Sequence, residues 1–285
     1  DVYDSDVDGI VDLGSPDGGL NPYYISGGDN SDAYPLTAPW TGELPLPTNV
    51  FVDDGYTSST PGWDYDHFNT IQNGVDGVAI GGIITVYNGL YGENVLIDKT
   101  VQLYGEDRDN TIIDGENLTN TIRITADNVI FTGCKVINGN SVYPNAGIFL
   151  DHVEGSIINH NTVSGNNGHG IFDMWGTGNQ IFDNILTGNK LTAIRVDGTE
   201  AHASIHNNSI SDNDDTGIFI YHADTVLIEH NTITGNALYG ISPQGFSKNI
   251  TIRYNTISEN MKYGIWVAAC PNGCDIHNNT ISDNQ

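Results

Sequence analysis

Basic residues are scarce in this chain. Its 285 residues include nine Lys and Arg against 36 Asp and Glu, a formal net charge of −27 at pH 7 with histidine neutral. Nucleic-acid binding is excluded, because so few cations cannot neutralise phosphates. A charge of this size favours an extracellular or cell-surface setting, in which dissolved cations screen the self-repulsion.

Long apolar runs and cysteines are also few. No run of about 18 apolar residues occurs, so we expect no membrane-spanning segment. Of the three cysteines, Cys270 and Cys274 flank the turn sequence PNG. They either close a small disulfide loop in an oxidising compartment or remain free thiols. No spacing of cysteine and histidine matches a zinc site.

A repeat fills the second half of the chain. Segments such as NTVSGNNGHGI (161–171), NTITGNALYGI (231–241) and NTISENMKYGI (255–265) share one pattern. Their leading asparagines recur every 23 or 24 residues: Asn161, Asn184, Asn208, Asn231, Asn255 and Asn279. A fixed period of this size indicates a solenoid, in which each repeat buries its apolar face against its neighbours.

The apolar residues within one repeat alternate over short runs, as Val226 and Ile228 do, and none fits an amphipathic helix. We therefore predict an all-β fold, a right-handed, single-stranded parallel β-helix of roughly nine or ten coils, each rising about 4.8 Å. A second asparagine series is expected to stack at a corner, where Asn tolerates left-handed backbone and its amide bonds to the next coil. That series is Asn166, Asn189, Asn213, Asn236, Asn260 and Asn284.

Residues 1–40 depart from the repeat, being rich in Asp, Gly, Pro and Tyr. The stretch DSDVDGIVD matches a calcium loop, although Ser15 stands where such loops usually have Glu. A solvated acidic turn is the alternative. The calcium prediction assigns one Ca²⁺ to the carboxylates of Asp4, Asp6, Asp8 and Asp12 and the carbonyl of Ile10.

Three further segments complete the predicted organisation. Residues 41–49 are a Pro-rich connector, and residues 50–82 lead into the solenoid. The stretch FNTIQNGVDGVA in the lead-in is the one good candidate for an amphipathic helix, and we expect it to cap the open end of the stack. The β-helix itself is assigned to residues 83–285.

The stretch ITVYNGLYGENVLIDKTVQLYGEDRDNTIIDG (84–115) and the N-[TS]-I-[ST]-x-N repeats resemble NosD-like, pectin-lyase-like β-helix proteins of archaeal and bacterial surfaces. The resemblance covers nearly all of the chain and implies the fold. It leaves the activity open, because such proteins include lyases, epimerases, hydrolases, proposed copper-handling proteins and non-catalytic surface modules.

A site on this fold is expected on an outward face. If Ile148, Ile171 and their equivalents point inwards, the next residue of each coil points outwards. That column is Phe149, Phe172, Arg195, Phe219, Ser242 and Trp266, and the column two residues further is Asp151, Met174, Asp197, Tyr221, Gln244 and Ala268. Such an aromatic stripe can stack on sugar rings, or be covered by a neighbouring subunit or the chain's own loops.

Catalysis on this face would need particular groups. Uronate chemistry requires a cation such as Arg195 at the carboxylate, with an acid and a base drawn from Asp173, Asp197, Tyr221 and His222. Glycoside hydrolysis requires two carboxylates about 5 to 10 Å apart, which Asp173 and Asp197 on adjacent coils can provide.

Two functions follow from these observations. The primary interpretation is a non-catalytic extracellular surface module; the alternative is a polysaccharide-acting enzyme, a lyase, epimerase or hydrolase. For the first, we hypothesise that residues 1–40 of one subunit pack on the exposed C-terminal coils of the next, with lateral contacts through Phe219 and Trp266. This self-association would build a filament. In a longer tandem protein the same contact would form within one chain.

Overall fold

A computed structural model describes residues 45–271 and 273–285 and shows a solenoid of three parallel β-sheets, which confirms the predicted fold class. The elements before the first coil are β1 (Asn49–Val52), β2 (His67–Phe68) and α1 (Ile71–Gly77). The coils are built from β3 (Ile83–Val86), β4 (Gly89–Gly92), β5 (Val95–Ile97), β6 (Gln102–Gly105), β7 (Thr111–Asp114), β8 (Ile122–Ile124), β9 (Ile130–Thr132), β10 (Lys135–Ile137), β11 (Ala146–Asp151), β12 (Ile157–Asn159), β13 (Thr162–Ser164), β14 (His169–Met174), β15 (Gln180–Phe182), β16 (Ile185–Thr187), β17 (Ile194–Asp197), β18 (Ser204–His206), β19 (Ser209–Ser211), β20 (Ile218–Tyr221), β21 (Leu227–Glu229), β22 (Thr232–Thr234), β23 (Ile241–Gln244), β24 (Ile250–Arg253), β25 (Thr256–Ser258), β26 (Cys274–His277) and β27 (Thr280–Ser282).

Each coil contributes one strand to each sheet. The first sheet has eleven strands in the order β2-β1-β3-β6-β9-β12-β15-β18-β21-β24-β26, the second has nine and the third has seven, from β5 to β23. An eighth coil closes with the single bridge between Ile241 and Ile265, so the described chain makes about eight turns. This is slightly fewer than the nine or ten expected, because residues 49–82 add two strands and a helix without completing a coil.

Apolar side chains from the three sheets fill the interior. In the third sheet Ile148, Ile171, Ile194 and Ile218 lie in register on successive coils and are fully buried. The alternation along each strand produces this column, because side chains two residues apart point to the same face. The inward orientation predicted for these isoleucines is confirmed.

Both asparagine series stack inside the corners. The backbone N–H of Asn184 donates to Oδ1 of Asn208 (3.0 Å), and the N–H of Asn208 donates to Oδ1 of Asn231 (2.9 Å). The second series repeats this pattern, for example from the N–H of Asn189 to Oδ1 of Asn213 at 3.1 Å. Because these residues are buried, the ladder satisfies backbone groups that would otherwise lack partners.

One detail of the corner prediction is wrong. The left-handed backbone lies at the residue before each ladder asparagine, as at Asn207 (φ 56°) before Asn208 and Gly235 (φ 66°) before Asn236. Because the residue before each ladder asparagine adopts the left-handed conformation, the asparagine amide points inwards and donates to its partner on the next coil.

Helix α1 forms where the sequence predicts it. Thr70 caps its first turn by accepting a hydrogen bond from the N–H of Asn73 (3.2 Å), and Glu93 accepts hydrogen bonds from the N–H groups of Ile71 and Gln72. Ile71 and Val75 are buried beneath the helix in the main core. At seven residues α1 is too short to span a bilayer, and the described part of the chain has no other helix that could.

The acidic segment 1–40 lies outside the described residues, as do residues 41–44 of the connector 41–49. The calcium prediction, for Asp4, Asp6, Asp8, Ile10 and Asp12, and the intersubunit role of residues 1–40 therefore stay predictions.

Replacement of one ladder asparagine is expected to destabilise the whole solenoid. In Asn208→Ala the N–H of Asn184 and the Nδ2 of Asn184 lose their acceptor while buried, which should cost about 3 kcal/mol of unfolding free energy. Ser209→Ala, on the exposed side of β19, is the matched control and should change the value by less than about 0.5 kcal/mol. Denaturant unfolding of both variants measures the difference, and equal stabilities would contradict a structural role for the ladder.

Candidate functional site

The outward face of the third sheet carries three columns of side chains. The first two are those predicted from the sequence, now extended by Arg123, which pairs in register with Phe149. The third column consists of the residues just before each Gly-Ile or Ala-Ile pair: Ala146, His169, Thr192, Thr216, Tyr239 and Tyr263. Backbone bonds keep this column aligned, for example from the N–H of Gly217 to the carbonyl of Tyr239 (2.9 Å).

Arg195 and Asp197 form the ion pair at the centre of this face. They lie two residues apart on β17, so their side chains emerge side by side. Nε of Arg195 donates to Oδ1 of Asp197 (2.9 Å) and Nη2 donates to Oδ2 (2.6 Å), a bidentate arrangement. Both side chains are largely buried, with 21% and 11% exposed.

Aromatic rings and a histidine surround the guanidinium of Arg195. Its central carbon lies 4.8 Å from the ring centre of Phe172 and 5.7 Å from that of Phe219. Nη1 is 3.4 Å from Nε2 of His169. Burial, and then the neighbouring cation, lower the pKa of His169 to about 3, so the ring is neutral at pH 7.

A groove of about 370 Å³ opens beside this cluster. Tyr239 and Trp266 line it with ring centres 4.5 Å apart, and Tyr239 also stacks on Tyr263 at 6.1 Å. Asp215 is on the wall and accepts a hydrogen bond from the hydroxyl of Thr216 (3.0 Å). The full lining is His169, Thr192, Arg195, Asp215, Thr216, Phe219, Leu238, Tyr239, Gln244 and Trp266.

The predicted aromatic stripe is only partly available to a ligand. Phe149 and Phe172 point outwards but are buried, with Phe172 in contact with the ring of Tyr143 at 6.0 Å. The hydroxyl of Tyr143 lies 3.5 Å from Sδ of Met174. The chain's own loop before β11 therefore covers this end of the stripe, while Arg195, Phe219 and Trp266 remain at the groove.

Asp173 lies in the interior, so the outward placement on which its predicted catalytic role depended is wrong. It pairs in register with Val196 and Leu150 in an inward column and is fully buried. Its Oδ1 accepts a hydrogen bond from Asn179 (3.0 Å), while Oδ2 has no partner within the described ranges. Burial, with a smaller contribution from Asp197, raises the pKa of Asp173 to about 7.

Tyr221 and His222 lie at the rim of the face and outside the groove lining. Both are exposed, and their rings meet edge to face at 4.3 Å. Tyr221 stacks on Phe219 with ring centres 6.0 Å apart, which extends the aromatic surface away from Trp266.

Six of the ten groove residues were missed by sequence reasoning: His169, Thr192, Asp215, Thr216, Leu238 and Tyr239. Four of the six stand just before a Gly-Ile or Ala-Ile pair, a position that the period-two rule assigns to the interior. The glycine reverses this expectation, because it packs tightly against neighbouring groups: a Cβ at Gly217 would lie 2.6 Å from the carbonyl oxygen of Gly240 and 2.6 Å from Cγ2 of Ile233. The recurring glycine was the signal that could have located this column.

Elsewhere, Cys270 and Cys274 form a disulfide with Cα atoms 6.4 Å apart, and Cys134 is a buried free thiol. Within residues 45–271 and 273–285, no group of three or more His, Cys, Asp or Glu side chains is placed to hold a metal ion.

Comparison with known proteins places the fold. A family model described as a right-handed β-helix region matches residues 147–285. Pectate lyase Pel9A superposes with a TM-score of 0.67 at 14% identity, covering 83% of this chain and 70% of the lyase. The family match and the superposition show that the chain folds as a right-handed parallel β-helix. The narrower NosD-like resemblance stays a prediction.

Two other structures share the fold of this β-helix protein. DFA-IIIase from Arthrobacter chlorophenolicus A6 has a TM-score of 0.63 at 12% identity, covering 83% of this chain and 71% of that one. The periplasmic alginate epimerase AlgG has a TM-score of 0.58 at 14% identity, covering 71% of this chain. The match spans about half, 51%, of the epimerase. No curated protein sequence matches the chain significantly.

The buried carboxyl of Asp173 should make stability depend on pH. The unfolded carboxyl ionises near pH 3.8, whereas the folded one keeps its proton up to about pH 7. The unfolded state therefore binds fewer protons between these values, and this group's contribution to stability falls as the pH rises. Asp173→Asn, which cannot ionise, should gain on the order of a few kcal/mol over the parent at pH 7 and little at pH 4.

Unfolding free energies of parent and variant across pH 4 to 8 test this expectation. Asp212→Asn, at an exposed corner, is the control and should follow the parent at every pH. A difference between Asp173→Asn and the parent that does not change with pH would show that Asp173 is ionised in the fold.

Proposed function

We propose that the protein binds a polysaccharide in the groove of the third sheet and acts on it as a carbohydrate-processing enzyme. The observation that carries this proposal is the combination of an open groove, three aromatic rings and the Arg195–Asp197 ion pair on one outward face. It replaces the non-catalytic surface module as the preferred function. The three structures compared above are a pectate lyase, an alginate epimerase and a DFA-IIIase, and their shared fold supports this choice.

The groove offers both kinds of contact that sugars require. The partly buried rings of Phe219, Tyr239 and Trp266 provide apolar surfaces on which sugar rings stack. Gln244 and Asp215 provide polar groups for sugar hydroxyls, and Nε2 of Gln244 is positioned by a hydrogen bond to Ser242 (3.0 Å). Sugar-binding sites combine apolar walls with a few well-placed polar groups in this way.

Asp215, in the groove lining, and Asp197, beside Arg195, differ in their freedom to exchange protons. Asp197 is held by two hydrogen bonds from Arg195. Asp215 has no ion pair among the described residues and accepts only the hydroxyl of Thr216. We assign Asp215 as the acid–base group of the proposed reaction, with Arg195 and Asp197 fixing the geometry of the groove floor.

An extracellular location is part of the proposal. The Cys270–Cys274 disulfide forms in oxidising compartments, and the net charge of −27 is best tolerated where salt screens it. Calcium binding by the N-terminal segment and head-to-tail self-association remain separate predictions that rest on residues outside the described ranges.

Removal of the ring of Trp266 is expected to weaken binding. Trp266→Ala deletes one wall of the groove and should raise the dissociation constant for a bound oligosaccharide about tenfold, the effect of roughly 1.4 kcal/mol of lost stacking. Affinity electrophoresis against a panel of neutral and acidic polysaccharides identifies the ligand, and calorimetry with its oligomers measures the change.

Tyr254→Ala is the matched control, because Tyr254 is an exposed aromatic on the first sheet's side and stacks on His230 (5.2 Å) away from the groove. It should bind as the parent does. If Trp266→Ala and Tyr254→Ala weaken binding equally, or if no polysaccharide of the panel binds, the groove is not the site.

A further inference from the structure

We infer that the groove selects an uncharged polysaccharide and rejects polyuronates, an inference that rests on the proposed function. Its basis is the state of the cations around the groove. A polyuronate carries one carboxylate on each sugar, and a site that binds it must supply cations free to meet those charges.

Arg195 is the cation in the groove lining, and three of its five N–H donors already face protein partners. Nε and Nη2 bind Asp197, Nη1 faces His169, and the guanidinium lies between Phe172 and Phe219. The charge of Arg195 is paired with Asp197, whose side chain is 11% exposed. A sugar carboxylate must share this charge or displace Asp197, and displacement leaves a largely buried carboxylate without its partner.

Most of the chain's cations are already paired with carboxylates. Of the nine Lys and Arg residues, five form ion pairs with carboxylates: Arg123 with Asp151, Lys190 with Asp214, Arg195 with Asp197, Lys248 with Asp224 and Arg253 with Glu229. Lys262 forms no ion pair within the described ranges and lies beside the groove, with Nζ 5.7 Å from the ring centre of Tyr239. The experiment therefore tests Lys262 as a cation that could bind a polyuronate carboxylate.

The acidic groups oppose a polyanion at short and long range. Asp215 presents a carboxylate from the groove wall, and the whole chain carries a net charge of −27. This field repels a polyuronate most strongly at low ionic strength. An uncharged chain experiences no such repulsion and can use the stacking surfaces of Tyr239 and Trp266 in full.

The substrate class also decides the reaction class. Elimination from a uronate depends on its carboxyl group, which acidifies the neighbouring C–H bond; an uncharged sugar lacks this group. The corresponding reaction is hydrolysis: the bond from the anomeric carbon to the bridging oxygen breaks, water supplies hydroxyl to the anomeric carbon, and a proton joins the departing oxygen. The products are saturated chains with one new reducing end.

Binding measurements on the intact protein test the inference. Neutral glucan, mannan, xylan and fructan are compared with polygalacturonate and alginate at low and moderate salt, each with and without Ca²⁺. We expect a neutral polymer to bind with little dependence on salt, and both polyuronates to bind at least tenfold more weakly. Asp215→Lys should raise the affinity for polyuronate about tenfold by adding a free cation to the wall.

The outcomes separate the two proposals. Polyuronate binding as tight as neutral binding, with or without Ca²⁺, overturns the inference; if it is weakened by Trp266→Ala, the proposed function stands. If polyuronate does bind and Lys262→Met abolishes that binding, Lys262 is the cation that holds the sugar carboxylate. Failure of every polymer to bind, or binding indifferent to Trp266→Ala, overturns the proposed function and the inference together, and Tyr254→Ala again serves as the control.

Discussion

The hydrogen bonds between asparagine amides of successive coils are the constraint on which this structure depends. Each ladder residue accepts from one coil and donates to another, as Asn208 does between Asn184 and Asn231. Such bonds form only if every coil has nearly the same length, which explains the spacing of 23 or 24 residues. The same close stacking of coils requires the glycine of each Gly-Ile pair, because a Cβ at Gly240 would collide with Ile257 and with the carbonyl oxygen of Gly264.

The ladder and the isoleucine columns fix the interior, so variation between coils is confined to the outside. Along the first outward column the residue changes from Phe172 to Arg195, Phe219, Ser242 and Trp266 while the backbone register stays the same. A repetitive scaffold can therefore display a non-repetitive surface. The groove arises where this variation places an ion pair beside aromatic rings, and the neighbouring loop with Tyr143 marks one boundary by covering Phe172.

Regular features of this fold were predictable from the sequence, and irregular ones were not. The β-helix, helix α1 and the outward orientation of Arg195 all follow from periodicity and capping signals. Tyr143, which covers Phe172, belongs to a loop that does not recur in the other coils, so periodicity could not predict its path. Asp173 was placed on the outward face although alternation from Ile171 puts it inside. A buried, protonated carboxyl is consistent with both its position and its raised pKa.

Only one β-sheet separates the core from the groove, so charges on its two faces affect each other. Asp173 on β14 and Asp197 on β17 lie on opposite faces of the same sheet, yet the charge of Asp197 contributes to the raised pKa of Asp173. That charge is in turn compensated by Arg195 on the groove side. Any change that strengthens or removes the Arg195–Asp197 pair therefore alters how readily the interior carboxyl ionises. Because ionisation of a buried carboxyl opposes folding, the polar pair at the groove floor and the stability of the coils beneath it are thermodynamically linked.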